Sequence, residues 1–186
     1  MKNTLIVIGS IVGVILLFVL YMNSAYNNAV KLEETTKARW SDVGASYQRR
    51  ADLIPNLINT VKGAAANEKD ILSSVIALRG GISSAKTPAD FDAVGKKINA
   101  AINLTFEAYP QIRSTENFQT FQSQLEGTEN RINIAREDYN ESVNQYNSYI
   151  RGFITHAVLG MAGGNFEVKK GFESVAGSEK APAVNF

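Results

Sequence analysis

The stretch Leu5 to Met22, LIVIGSIVGVILLFVLYM, holds no charge and no proline and is apolar on every side. As a helix its roughly 18 residues would be about 27 Å long, close to the ~30 Å hydrocarbon thickness of a bilayer. In lipid each backbone donor and acceptor must be satisfied within the segment, which leaves helix as the state for a single span. Tyr21 lies where interfacial aromatics sit. The run exceeds the ~7–15 residues of a signal-peptide core. The flank Asn23-Ser24-Ala25-Tyr26 also offers no clean small-x-small cleavage site. The segment therefore reads as a retained anchor, residues 1–22, in a single-pass membrane protein. Gly9 and Gly13 form a GxxxG spacing with Ser10 beside it, which would let two such helices approach closely, although glycine is common in spans and the spacing also arises by chance. Orientation stays open: Lys2 precedes the span, while Lys31, Lys37, Arg39, Arg49 and Arg50 follow it, so the positive-inside count is nearly balanced.

From Asn23 the lipid pattern gives way to an amphipathic one. Tyr26, Val30 and Glu33 lead into Trp40, Val43, Tyr47, Ala51, Ile54, Ile58, Val61 and Ala65, mostly in steps of three and four, the seam of a helix in a left-handed bundle. With no break at the anchor, one helix is expected from about residue 4 to about residue 66, kinked near Asp52–Pro55 where proline removes a backbone bond. Asn67-Glu68-Lys69-Asp70 marks a second start, with Ile71, Leu72, Val75, Leu78, Arg79 and Ile82 on one face. Thr87-Pro88-Ala89-Asp90 is the strongest start: a threonine cap, proline at the first helical position and an acid three residues on. That third helix uses Phe91, Val94, Ile98, Ala101, Ile102, Thr105 and Phe106, and ends at Tyr109-Pro110. The fourth is the most regular, stepping from Phe118 through Phe121, Leu125, Thr128, Ile132, Ala135, Tyr139, Val143, Tyr146 and Ile150 to Phe153.

The fold class is therefore all-α: an N-terminal transmembrane helix continuing into an antiparallel, up-down-up-down four-helix bundle over residues 23–153, with a mostly irregular tail over 154–186. The second and third helices, about 20 residues each, can cover only the distal half of the longer pair. Near the membrane the first and fourth helices would form a stalk carrying Tyr26, Val30, Trp40, Tyr139, Tyr146, Tyr149 and Phe153. Neighbouring protomers, a partner or the chain's own tail must cover that apolar surface. In the tail, Ile154, Val158, Leu159 and Met161 lie among Gly160, Gly163 and Gly164, a run too short to span. It either touches the membrane surface or packs on the stalk. The ending Pro182-Ala183-Val184-Asn185-Phe186 reads as an extended strand.

Trp40-Ser41-Asp42-Val43, Tyr47 to Leu57 (YQRRADLIPNL) and Thr60-Val61-Lys62-Gly63 resemble the LemA family of bacterial membrane proteins. Leu125 to Ile132 (LEGTENRI), Ala135 to Asn140 (AREDYN) and the ending Ala181 to Phe186 (APAVNF) are similar to it too. The resemblance covers essentially the whole chain. It implies a single N-terminal span, a mainly antiparallel helical bundle, and a short N-terminus outside with the bundle in the cytoplasm. One departure stands at Ile154, where the family pattern tends to have proline; it implies a fourth helix running longer than usual. No enzymatic activity is established for the family, so the resemblance supplies a fold and not a function.

The residues point away from catalysis. The chain has no cysteine, which removes disulfides, thiolate metal sites and thiol nucleophiles. His156, the only histidine, has no partners at metal or triad spacing. Glu33, Glu34, Glu126, Glu129, Glu137, Asp138 and Glu141 lack the Glu-x-x-His pairs of a di-metal bundle and read as solvated faces. Gly-rich phosphate loops, Walker patterns and nucleophile elbows are absent. A net charge of +1 gives no field for nucleic acid. No cofactor and no small-molecule substrate is expected. Arg49, Arg50 and Asp52, around the Pro55 kink, form either a salt-bridged face or a partner patch. The expected role is a non-enzymatic, membrane-anchored scaffold, in contact with lipid, that self-assembles as a homo-oligomer through its membrane-proximal half. The alternative is an adaptor or sensor recruiting another membrane protein through the distal bundle.

Overall fold

The computed structural model describes residues 2–56, 69–108 and 116–173. All its regular structure is helical: α1 (Lys2–Ala51), α2 (Lys69–Ser84), α3 (Pro88–Ala108), α4 (Glu116–Arg151) and α5 (Phe153–Met161). No strand occurs among the described residues. The expected strand over 182–186 and the stretch of the first helix over 57–66 lie outside them.

Helix α1 passes from the apolar run into the polar part without a break at residue 22 or 23. No glycine or proline stands between Val14 and Val43 to interrupt it. Ser10, Thr35 and Thr36 send their hydroxyls back to carbonyls four residues earlier, so these polar side chains cost the helix no unpaired group. At Asp52 the helical pattern turns, then resumes over 53–56, next to the proline that lacks an N–H.

The chain divides into two compact units, and both long helices contribute to each. The first joins the residues up to Arg39 with Glu141–Lys169. There α1 and α4 run antiparallel: Thr36 Oγ1 lies 3.4 Å from the carbonyl oxygen of Ser142, and the Tyr149 hydroxyl donates to the Ala25 carbonyl at 3.2 Å. The buried seam of α1 here is Ala25, Ala29 and Thr36, with Leu32 beside it, not the expected Tyr26, Val30 and Glu33. The large residues suggested the wrong register. Alanines at 25 and 29 let the helices come close enough for a tyrosine to reach a helical backbone carbonyl, and Tyr26 and Val30 fall on the shoulder.

The second unit takes Trp40–Asn140 and the segment from Lys170 on. Its core is aromatic. Trp40 meets Phe91, Tyr139 and Phe172 at ring-centroid distances of 4.9, 5.1 and 6.2 Å, and Tyr47 stacks on Phe91 at 5.0 Å. Helices α2 and α3 pack on each other across the turn at 85–87. The start of α3 is the expected capping box: Asp90 N–H donates to Thr87 Oγ1 at 3.2 Å, and Thr87 N–H returns to the Asp90 carboxylate at 2.8 Å. Lys86 N–H adds a third bond at 3.0 Å. These donors hold the Asp90 carboxyl below its ordinary pKa, the Lys86 backbone bond foremost.

The stripe of α4 is as expected from Phe121 to Ile150, where Thr128, Ile132, Ala135, Tyr139, Val143 and Tyr146 are all buried. It stops there. The helix ends at Arg151 instead of running long, because Gly152 turns to ψ 134° and a new helix begins at Phe153. Phe153, expected to close the stripe, is 92 % exposed. The tail is also less irregular than expected: α5 occupies 153–161, burying Val158 and Leu159. It closes in a Schellman motif, Gly164 N–H to the Leu159 carbonyl and Gly163 N–H to that of Gly160, with Gly163 at φ 71°.

Candidate functional site

The residues assigned to stalk contacts separate into two groups. Tyr146 is fully buried in a cluster with Ala29, Ile150 and Leu159, flanked by Leu32, Tyr149 and Phe166. The Lys169 ammonium lies 5.2 Å from its ring centroid, a cation–π distance, and reaches Glu33 at 3.2 Å. Burial, with Glu33 and Glu167 nearby, pushes the Tyr146 phenol pKa up. In the second unit Tyr139 is buried beneath Phe172 and donates to the Lys170 carbonyl at 3.1 Å. Burial raises this phenol as well. Of the three candidate covers for Tyr139 and Tyr146, it is the chain's own tail that lies on them. Tyr26, Val30 and Phe153 stay exposed, and Trp40 and Tyr149 are half-buried.

Two asparagines hold that tail, and the sequence reading passed over both. In the first unit Asn147 takes the backbone of Lys169 with both ends of its amide: Nδ2 donates to the Lys169 carbonyl at 2.8 Å, and Oδ1 accepts from its N–H at 3.0 Å. In the second unit Asn140 does the same to Phe172, at 3.0 and 2.7 Å. Each amide substitutes for the strand neighbour that an extended peptide would otherwise need. Gly171 is required beside Asn140, since a Cβ there would stand 2.7 Å from its Oδ1. The available signal was asparagine, a poor helix former, recurring seven residues apart inside a regular helix.

The expected partner patch also divides. Arg50 is only 7 % exposed and forms an ion pair with Glu129. Its Nε has no hydrogen-bond partner, and burial lowers its pKa. Asp52 pairs with Arg79 and accepts from Gln48. Arg50 is therefore a buried, ion-paired cation, and Asp52 is ion-paired as well. Arg49 lines an open cavity of about 440 Å³ with Asp52, Arg131, Asn56, Gln124 and Thr128. Arg49 and Arg131 also line a second cavity, with Asp42 and Asp138. Arg131, which the sequence reading placed only within the LEGTENRI resemblance, lies on α4 and joins Arg49 through tertiary packing. Gly9 and Gly13 face open space. Among the described residues no group of three or more His, Asp or Glu side chains converges to hold a metal ion.

The LemA family model matches residues 39–186. Two relatives, each named a magnetosome protein, MamQ 2 and MamQ 1 of Paramagnetospirillum magneticum, are 30 % identical over 160 residues, covering 70 % of this chain and 58 % of theirs. A protein named LemA from Metamycoplasma hominis is 23 % identical over 120 residues, covering 62 % of this chain and 55 % of its own. The chain thus spans less than two thirds of the length of each of these relatives.

Proposed function

Since the chain belongs to the LemA family, whose model covers most of its length, we propose that it is a non-enzymatic, membrane-anchored helical scaffold that self-assembles through its membrane-proximal half. In this reading residues 1–22 are the single span, 23–153 an antiparallel four-helix bundle, and 154–186 a tail. The supporting observation is that α1 carries the apolar run directly into the packed seam of Ala25 and Ala29. None of the apolar stretch is buried within the chain, and the helix is long and apolar enough to cross a membrane. Pairing of spans at Gly9 and Gly13 would then set neighbouring copies in register without a flexible joint. With the tail covering Tyr139 and Tyr146, the stalk residues still exposed beside the apolar run are Tyr26, Val30 and Phe153. Mass photometry of gently solubilised full-length protein should give discrete multimers; a monomer in every detergent tried would sink the reading.

The cavity lined by Arg49, Arg131 and Asp52, two cations to one carboxylate, supports a second role, as an adaptor for another membrane protein that presents an acidic group. Reversing both charges, Arg49→Glu with Arg131→Glu, should remove a co-purifying partner and leave assembly intact. Retention of the partner by that double variant would rule the cavity out.

A further inference from the structure

Helix α5 is bracketed at a single level of α1. Just before it, the Tyr149 hydroxyl bonds the Ala25 carbonyl. Just after it, Gly164 comes close to the Tyr26 ring, and Phe166 packs edge-on against that ring at 5.6 Å. In between, Leu159 is buried against Ala29 and Ile150. On the way in, α4 descends from Thr36 to Ala25; on the way out, the chain climbs from Tyr26 to Glu33. Within this unit α5 is therefore the turning point nearest the apolar run. Ala25 and Ala29 lie three and seven residues beyond Met22, about 5–10 Å along the helix. That is the depth of the headgroup layer outside a ~30 Å hydrocarbon core.

Burial and hydrophobicity do not coincide on α5: its polar residues, Thr155 and His156, flank the buried Leu159 and not the exposed side. Val158 and Leu159 face the seam. On the other side Phe153, Ile154, Ala157 and Met161 fall within about 100° of arc at 100° per residue. Phe153 is 92 %, Ile154 61 % and Met161 64 % exposed. A soluble helix would carry charge there; this one carries none.

We propose that α5 is an interfacial helix, and that Phe153, Ile154 and Met161 insert into the headgroup–acyl boundary of the bilayer that α1 crosses. The occupant of this face is lipid, because the face is apolar and uncharged and α5 packs on α1 within a helical turn or two of the end of the span. A second point of membrane contact would fix the tilt and rotation of the anchored helix, which a lone span leaves free. The inference rests on residues 5–22 crossing the bilayer.

The absence of cysteine lets single cysteines report position cleanly. Full-length Ile154→Cys, Met161→Cys, Leu17→Cys and Asn144→Cys are each labelled with an environment-sensitive fluorophore. Each is reconstituted in vesicles of phosphatidylcholine and phosphatidylglycerol carrying spin-labelled lipids, quenching either near the headgroup or deep in the chains. Labels at 154 and 161 should lose emission to the shallow quencher, the label at 17 to the deep one, and the label at 144 to neither. Quenching at 17 without quenching at 154 and 161 overturns the interfacial contact and leaves the span standing. Loss of quenching at 17 removes the span, and the inference with it. Blue-shifted but unquenched emission at 154 that grows with protein-to-lipid ratio overturns it in favour of a second copy covering the face.

Discussion

Two tyrosines on one helix face make opposite demands on their hydroxyls. The Tyr139 hydroxyl donates to the Lys170 carbonyl, whereas the Tyr146 hydroxyl is buried with no hydrogen-bond partner. Tyr139→Phe should therefore cost about 0.5–1.5 kcal/mol, the net worth of one hydrogen bond, while Tyr146→Phe should be neutral or stabilising. Paired thermal melts check the sign: a larger loss for Tyr146→Phe would mean its hydroxyl is satisfied after all. Arg50 poses the same question with charge. Glu129→Gln strands a buried guanidinium and should destabilise by about 3 kcal/mol, less if water reaches the exposed side of the pair. Arg50→Met removes the buried cation and leaves a half-exposed Glu129 to water, so it should cost under about 1 kcal/mol, since burial already works against the cation there. Denaturant midpoints of the two variants, compared at equal slope, separate these outcomes.

At the scale of elements, the start of α3 is held by Asp90, whose carboxyl lies below its ordinary pKa because three donors favour its ionised form. A carboxyl depressed on folding stabilises above its unfolded pKa, and that contribution disappears as pH falls through the folded one. Asp90→Ala should therefore lower the melting temperature at neutral pH, and the gap to the parent should close as pH drops below the ordinary aspartate range. A gap that persists in acid would assign the cap to Thr87 alone. Later in the same helix, Gly95 lies against the Tyr47 ring, where an added Cβ would stand 2.9 Å from Cε1. Gly95→Ala gains about 1 kcal/mol of helix propensity. It must also displace a ring stacked on Phe91, at a cost of about 1–3 kcal/mol. Net destabilisation is expected, and a stabilised variant would show that the ring moves freely. These starts and faces were legible in advance because caps and three-four spacing are local properties. The break at Gly152 was not, because a glycine inside a strong stripe is tolerated as often as it ends one.

For the molecule as a whole, the apolar run of α1 is unburied within the chain, and the proposed assembly would pack one such run against another. Leucines replacing Gly9 and Gly13 meet nothing within the chain. The double variant should therefore leave the melting of the folded units unchanged while shifting particles in mass photometry to smaller sizes. Unchanged assembly would move the self-contact away from these glycines, toward Tyr26 and Val30.

An uncharged run, a capping box and an unbroken stripe depend on neighbours within a few residues, and so the long apolar helix, the helix starts and the aromatic face of α4 follow from the sequence alone. The cover of that face does not. The segment from Gly164 to Glu173 has no periodic pattern, and it is held by backbone groups that every residue carries, gripped by Asn140 and Asn147. Only tertiary structure brings those groups within hydrogen-bonding range, takes Arg50 out of the surface and turns Phe153 outward. Each of these outcomes depends on pairings between residues distant in the chain, which no local pattern encodes.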